Sequence, residues 1–417
     1  MKKCLKILTV AAMAMTGVLA LSSCGEEKFK IGIILVGDET EGYTLAHMNG
    51  IDRAAEKLGL TKDQIIYQKR IAETDSCSIA ANSLIADGCE LIISNSYGHQ
   101  DFMYQVAREN TETTFVAATG DYAAISGLSN MKNAFTSVYE SRYVSGVVAG
   151  MKLKELIEGD RLTDKNKDAD GNWKIGYVGA YKYAEVISGF TAFFLGIRSI
   201  VENVSLDVQF TSSWFDIDAE AQAAEMLVKS GCVIIGQHAD STGAPAKCET
   251  LLTSGDYVCY SVGYNIDMLS VAPHAALTSA TNNWEVFYEY AFSAAMKGET
   301  LETDWSEGYK TGAVGITSLG TAVAPGTAEA VKSIEDNIEA GTFHVFDTSK
   351  FTVDGEVISS HPVDLSYRDW TDGGKVVFQG ETVETIKTSG ETKYFAESEF
   401  RSAPYFDIVI DGVNYLN

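Results

Sequence analysis

The chain is 417 residues long and 46% hydrophobic, ample for a sizeable core and too long for one compact domain, so two or three globular units are expected and disorder is excluded. Against 32 Lys and Arg stand 57 Asp and Glu, a net charge of −25 that excludes a nucleic-acid partner, whose phosphates demand a basic face. Five prolines beside 37 glycines suit regular elements joined by glycine turns.

Residues 1–23 read as a signal peptide. Lys2, Lys3 and Lys6 precede an apolar run from Ile7 to Leu21, and small residues follow at Ser22 and Ser23. The run falls short of the roughly 20 residues that span a bilayer. Leu21-Ser22-Ser23-Cys24 is similar to the bacterial lipobox, which implies a lipid on Cys24 and a body anchored at the extracytoplasmic face of the cell membrane. Loss of three lysines and no acid on processing would move the charge from −25 to −28.

From Lys30 short apolar strands alternate with helices. KIGIILVG leads to a helix near Leu45–Lys57, the strand IIYQ, a helix near Ser76–Asp87, the strand ELIISNS, a helix near Phe102–Glu109 and the strand TTFVAATG. This alternation predicts βαβ units on a parallel sheet, an α/β fold. NAFTSVYESRYVSGVVAGMKLKEL then reads as a strand entering a helix whose Ser145, Gly146, Ala149 and Gly150 permit close packing. Arg142, Lys152, Lys154 and Glu155 argue against its insertion in a membrane. The loop DKNKDADGNW spaces Asn166, Asp168, Asp170 and Gly171 as a calcium loop begins, but Tyr177 stands where the closing Glu belongs, so a polar turn is expected.

The pattern returns from Lys174 as KIGYVGA, a helix near Glu185–Ile200, LDVQF, a helix near Ala219–Ser230, CVIIGQH, a helix near Ala244–Leu252 and YVCYSVGY. Two similar open sheets imply two lobes with a cleft beyond the carboxyl ends of their strands. The helix NWEVFYEYAFSAAMKG is expected to rejoin the first lobe. The strand TGAVGITSL and a helix near Ala328–Ala340 are expected to rejoin the second, giving three chain crossings. The division expected is 30–137 with 263–300 for the first lobe and 138–262 with 301–345 for the second. A small β-rich C-terminal extension, 346–417, follows, where Val, Ile and Phe alternate between glycine turns.

The body holds five cysteines, Cys77, Cys89, Cys232, Cys248 and Cys259, an odd count that is no disulfide framework. Neither CxxC nor HExxH spacing occurs, so no metal or other cofactor is expected, and Cys89, Cys232 and Cys259 read as buried small hydrophobes.

GxSxG, Walker and GxGxxG signatures are absent. Aromatic and polar side chains instead follow the strands. In the first half these are Tyr43, Ser96 with Tyr97, and Tyr139 with Glu140. In the second half they are Trp214, Phe215 and Asp216, then His238 and Asp240, then Tyr264 and Asn265, with Trp284 beyond. Together they predict an aromatic-walled cleft for a planar heterocycle, since stacking contributes about 1–3 kcal/mol per base. Asp240 or Glu140 would accept from a ring N–H or a ribose hydroxyl, and Asn265 both donates and accepts. A sugar is the alternative guest. A hydrolase with Asp216, Asp240 or Glu140 as base is the enzymatic alternative; without a paired carboxylate motif, no catalytic residue is assigned.

GYTLAHMNGI, YESRYVSGVVAG, KIGYVGAYKYAEVISGFTAFFLGIRS, SSWFDIDAEAQAA, IIGQHADS and SVGYNIDM resemble, in the same order over about residues 30–300, segments of the basic membrane protein family of lipoproteins. These are substrate-binding proteins of ABC importers, purine nucleoside receptors among them. The resemblance implies the type I periplasmic-binding-protein fold, two Rossmann-like lobes with three crossovers. It also implies capture of a purine nucleoside or nucleobase, and an ABC permease as partner. By position, the family's stacking aromatics fall on Tyr43 and on Trp214 or Phe215, and its polar contacts on Tyr139, Glu140, His238, Asp240 and the segment around Tyr264. The branch most resembled has Trp where Tyr43 stands and Asp where Asn265 stands, which leaves the choice of purine open. The C-terminal extension lies outside the resemblance.

Overall fold

Parallel strands covered by helices on both faces bury every side chain and so read as continuous apolar runs. Past their first residues β1 (Lys30–Ile34) and β3 (Cys89–Ser94) behave so, Glu90 alone being exposed: Ile31, Ile33, Leu91 and Ile93 enter one core, and Ile34 and Ile92 the opposite one. The computed structural model describes residues 29–369 and 372–417, so the expected signal peptide and Cys24 lie outside the described residues.

The first sheet is built from β1, α1 (Gly42–Leu58), β2 (Ile65–Gln68), α2 (Asp75–Ala86), β3, α3 (Gln100–Ala107), β4 (Thr114–Ala118) and β5 (Met131–Thr136). The chain then crosses into α4 (Val138–Glu158), β6 (Trp173–Gly179), α5 (Ala184–Arg198), β7 (Val204–Phe210), α6 (Ile217–Lys229), β8 (Ile234–His238), α7 (Gly243–Ser254), β9 (Tyr260–Tyr264) and β10 (Ala276–Asn282). It returns through α8 (Trp284–Met296) and β11 (Asp304–Glu307), and crosses again to β12 (Val314–Ile316) and α9 (Thr327–Glu339). Strand orders are β11-β5-β4-β3-β1-β2 and β12-β10-β9-β8-β6-β7-β19, the last being a C-terminal strand (Val413–Tyr415).

Sheet membership departs from the expected division at two places. Residues 263–282 stay with the second sheet, because β10 pairs with β9. Residues 304–307, assigned by sequence to the second lobe, pair with β5 in the first. The crossings are tied together. Asn283 N–H donates to the Ala313 carbonyl at 2.7 Å, Ser137 N–H to Glu307 at 2.9 Å, and the Thr136 hydroxyl to Asn282 Oδ1.

Helix α4 is buried on nearly all sides and crosses α5 closely. A Cβ on Gly146 would sit 2.1 Å from the Phe193 carbonyl, and one on Gly196 2.2 Å from the Tyr143 carbonyl, so only glycine allows this contact. Among the described residues no helix is long and apolar enough to cross a membrane. The Asp168 carboxylate closes the polar loop as a turn, accepting from the N–H groups of Asp170 at 3.0 Å and Asn172 at 2.8 Å.

The extension forms β13 (Pro362–Asp364) paired with β16 (Thr382–Glu384), β14 (Tyr367–Asp369) with β15 (Lys375–Phe378), and β17 (Ile386–Ser389) with β18 (Thr392–Phe395). It touches both lobes. Phe346, Phe395, Tyr405 and Phe406 join the second lobe's core, and β19 extends its sheet beside β7. Tyr367 and Phe378 pack on Tyr122 of the first lobe at 4.5 and 4.9 Å, and the Tyr367 hydroxyl donates to Asp101 at 2.7 Å.

Candidate functional site

Both sheets present the carboxyl ends of their strands to a shared cleft, as open α/β sheets do. A cavity of about 100 Å³ lies there, lined by Val36, Glu41, Tyr43, Asn95, Ser96, Tyr97 and Thr119 of the first lobe and Glu185, Trp214, Asp240 and Tyr264 of the second. One buried water needs roughly a tenth of that volume. The lobes meet at its rim, where Gly42 N–H, at the start of α1, donates to the Asp240 carbonyl at 3.3 Å.

Six residues singled out by sequence line the cavity: Tyr43, Ser96, Tyr97, Trp214, Asp240 and Tyr264. Tyr43 is held by the ring system behind it, with His47 at 4.6 Å and Trp284 at 6.5 Å, both edge-on. Its hydroxyl has no partner among the described residues. The Ser96 and Tyr97 hydroxyls are committed, to Glu73 and to Asp121 at 3.2 Å. Trp214 packs on Tyr181 at 5.6 Å, which stacks on Tyr183 at 5.1 Å, an aromatic run beside the cavity.

The remaining candidates stand elsewhere. Tyr139 packs on Phe346 at 5.3 Å, and the Glu140 carboxylate accepts from Tyr309 N–H at 2.7 Å, so both serve the crossing and not the cleft. Burial pushes the Glu140 carboxyl up to about 7. Phe215 is exposed, and Asp216 caps α6 by accepting from Ala219 N–H at 2.9 Å. Trp284 is buried, stacked on His47 at 4.0 Å, and supports Tyr43 from behind. Asn265 donates to Asp240 at 3.0 Å and accepts from Asn282 at 3.0 Å, linking the cleft to the crossing strands. His238 lies behind the wall, its Nε2 3.2 Å from Glu185 and its ring 4.8 Å from Tyr264; burial, then the charge of Arg142, hold it neutral by driving its pKa well down.

Sequence reasoning missed Glu41, Asn95, Thr119 and Glu185. Glu41 and Glu185 occupy matching places in the two lobes, at the amino ends of the helices that follow β1 and β6, where helix dipoles favour a negative charge. Asn95 accepts from Val36 N–H at 2.8 Å and so fixes the end of β1. Thr119 has φ of 93°, a strained conformation for a β-branched residue, and Asn265 also sits in the left-handed region.

Three carboxylates and no cationic side chain line the cavity. Burial raises all three: Glu41 upward, Glu185 to about 7, and Asp240 well above its usual range, with Glu41, Glu220 and Glu185 adding repulsion at Asp240. Arg142 offsets part of this from behind the wall. It is buried, donates to the Gln237 carbonyl at 2.6 Å, and holds its guanidinium 3.7 Å from the centre of the Tyr264 ring, a cation–π contact. Aromatic faces with acceptor edges suit a flat, donor-rich, uncharged guest and repel phosphate.

Residues 30–340 match the family model Bmp, described as ABC transporter substrate-binding protein, PnrA-like. A purine-binding protein of Brucella abortus is 29% identical over 341 residues, 82% of this chain and 88% of its own. A putative ABC transporter glucose-binding protein of Haloferax volcanii is 27% identical over 310 residues, 74% of this chain and 72% of its own. An ABC transporter solute-binding protein of Aeropyrum pernix superimposes with a TM-score of 0.61 at 14% identity, covering 79% of this chain and 94% of that one, a likeness of fold alone.

Proposed function

The chain belongs to the Bmp family of PnrA-like ABC transporter substrate-binding proteins, and from that premise we propose that it captures an uncharged purine nucleoside or nucleobase between its lobes. It hands this ligand to a membrane permease and works at the extracytoplasmic face, held there by a lipid on Cys24. The reading rests above all on the cavity itself, where aromatic rings from both lobes flank three carboxylates without a cation. Tyr43 and Trp214 offer stacking faces, and Glu41, Glu185 and Asp240 accept from ring N–H groups and ribose hydroxyls. The Brucella relative's name, a purine-binding protein, supports the same ligand class.

Closure is a hinge motion at the three crossings, and a ligand touching both lobes favours the closed state by its extra affinity for it. Isothermal titration calorimetry with adenosine, guanosine, inosine and free purine bases tests the reading. One-to-one binding of at least one of them is expected, and inosine monophosphate should give no heat.

A sugar is the second reading, favoured by the Haloferax relative's name and by the aptness of carboxylates for hydroxyl groups. In the same titration, heat from glucose or ribose with none from any purine decides for it.

A further inference from the structure

The second lobe contains a pair of thiols that the ligand site does not use. Cys248 lies on α7 and Cys259 immediately before β9, both fully buried, with Met268 and Ala272 in the same apolar cluster. The Cys259 Sγ is 3.4 Å from the Cys248 carbonyl oxygen, to which its thiol donates. The neighbouring Cys259 thiol, ahead of burial, pushes the Cys248 thiol well up. No other cysteine among the described residues has such a neighbour: the Cys77 thiol donates to the His99 carbonyl at 3.8 Å, and Cys232 lies against Asp207 at 3.9 Å.

We propose that Cys248 and Cys259 are a disulfide-forming pair, closed by exchange with a small-molecule or protein disulfide outside the cytoplasm. The thiolate of one cysteine attacks the donor disulfide, forming a mixed disulfide and releasing one donor thiolate. The second cysteine, as thiolate, attacks the protein sulfur of that mixed disulfide and releases the other. Two protein thiols and one donor disulfide become one protein disulfide and two donor thiols, the two thiol protons passing to the released thiolates. Burial of both sulfurs places the exchange before or during folding of the second lobe. ABC substrate-binding proteins work outside the cytoplasm, where such bonds persist. The bond would pin the middle of α7 to the start of the strand that delivers Tyr264 and Asn265, closing a short loop through Gly255 and constraining the unfolded chain. The proposal depends on the compartment and not on which ligand is bound.

The test refolds the full chain from guanidinium in a buffer of glutathione and glutathione disulfide, then denatures it in acid, alkylates free thiols and maps peptides by mass spectrometry. The Cys248 and Cys259 peptides are expected as one linked species, two mass units below their sum, with Cys77, Cys89 and Cys232 alkylated. Reduction should lower the melting temperature of the wild type by roughly 5 °C. It should not lower that of Cys259→Ser or, if that variant folds poorly, of Cys248→Ala. Full alkylation of both cysteines in correctly refolded protein, or linkage to another cysteine, overturns the proposal.

Discussion

Trp214 and Glu185 carry opposite parts of the site, one the flat face and the other the acceptor edge, so their substitutions separate the two contributions. Trp214→Ala is expected to weaken purine binding by roughly tenfold or more, read by calorimetry, because one stacking face is lost. Glu185 brings pH dependence. Its carboxyl titrates near 7 in the unliganded protein, and a ligand N–H or hydroxyl prefers the ionised form, so affinity should rise as pH goes from 6 to 8. Glu185→Gln should flatten that rise. His238 does not mimic the effect, because burial and then the charge of Arg142 drive its pKa well down and keep the ring neutral. Stability has the opposite sign. Glu140, Glu185 and Glu220 all titrate near 7 in the folded chain, above their ordinary value, so their contribution is full in acid and is lost as pH rises through about 7. The melting temperature without ligand should therefore be lower at pH 8 than at pH 5.5, and Glu140→Gln should narrow the difference.

At the scale of elements, docking of α1 against the loop after β8 closes the cleft. A Cβ on Gly42 would sit 3.1 Å from the Asp240 carbonyl and 3.5 Å from the Ile266 side chain. Gly42→Val is expected to lower affinity about tenfold by opposing closure, and circular dichroism should show an unchanged fold. The elements themselves were legible where they followed the apolar alternation, as β1, β3, β6 and β8 do with the helices after them. The crossing after β9 was not. Strand β10 is ALTSATN, without an apolar run, yet it is buried, with long-range partners for part of its polar surface: Thr278 donates to the Thr317 carbonyl at 2.8 Å, and the Thr317 hydroxyl accepts from Ser279 N–H at 2.8 Å. A strand satisfied by long-range hydrogen bonds leaves no periodic signal. Strand β11, Asp304–Glu307, hides for the same reason, with only Trp305 fully buried. In the site, Tyr43 and Trp214 are legible as aromatics close after strands, whereas Glu41 and Glu185 look like ordinary acids at the amino ends of helices until the facing lobe is placed opposite each. Glu140 misled in the reverse direction, since adjacency to a crossing is not adjacency to the cleft.

On the scale of the whole molecule, the extension is anchored on both lobes, by Tyr367 and Phe378 on the first and by Phe346, Phe406 and β19 on the second. Opening the cleft must strain or detach one anchor, so these contacts favour the closed form. Tyr367→Ala combined with Phe378→Ala, remote from the cavity, is expected to weaken ligand binding roughly threefold without changing the order of preference among ligands. An unchanged affinity would assign the extension a structural role in each lobe separately. The acidic total acquires a local meaning as well. The cavity lining shares the acidic bias of the whole chain, with Glu41, Glu185 and Asp240 and no cationic side chain to pair with a phosphorylated ligand.

Native mass spectrometry of the protein, incubated with an equimolar mixture of nucleosides, purine bases, nucleotides and monosaccharides, tests ligand class most directly. A single one-to-one adduct with the mass of a purine nucleoside or base is expected, diminished in Trp214→Ala. An adduct with the mass of a sugar or a nucleotide, or no adduct at all, would contradict the purine reading.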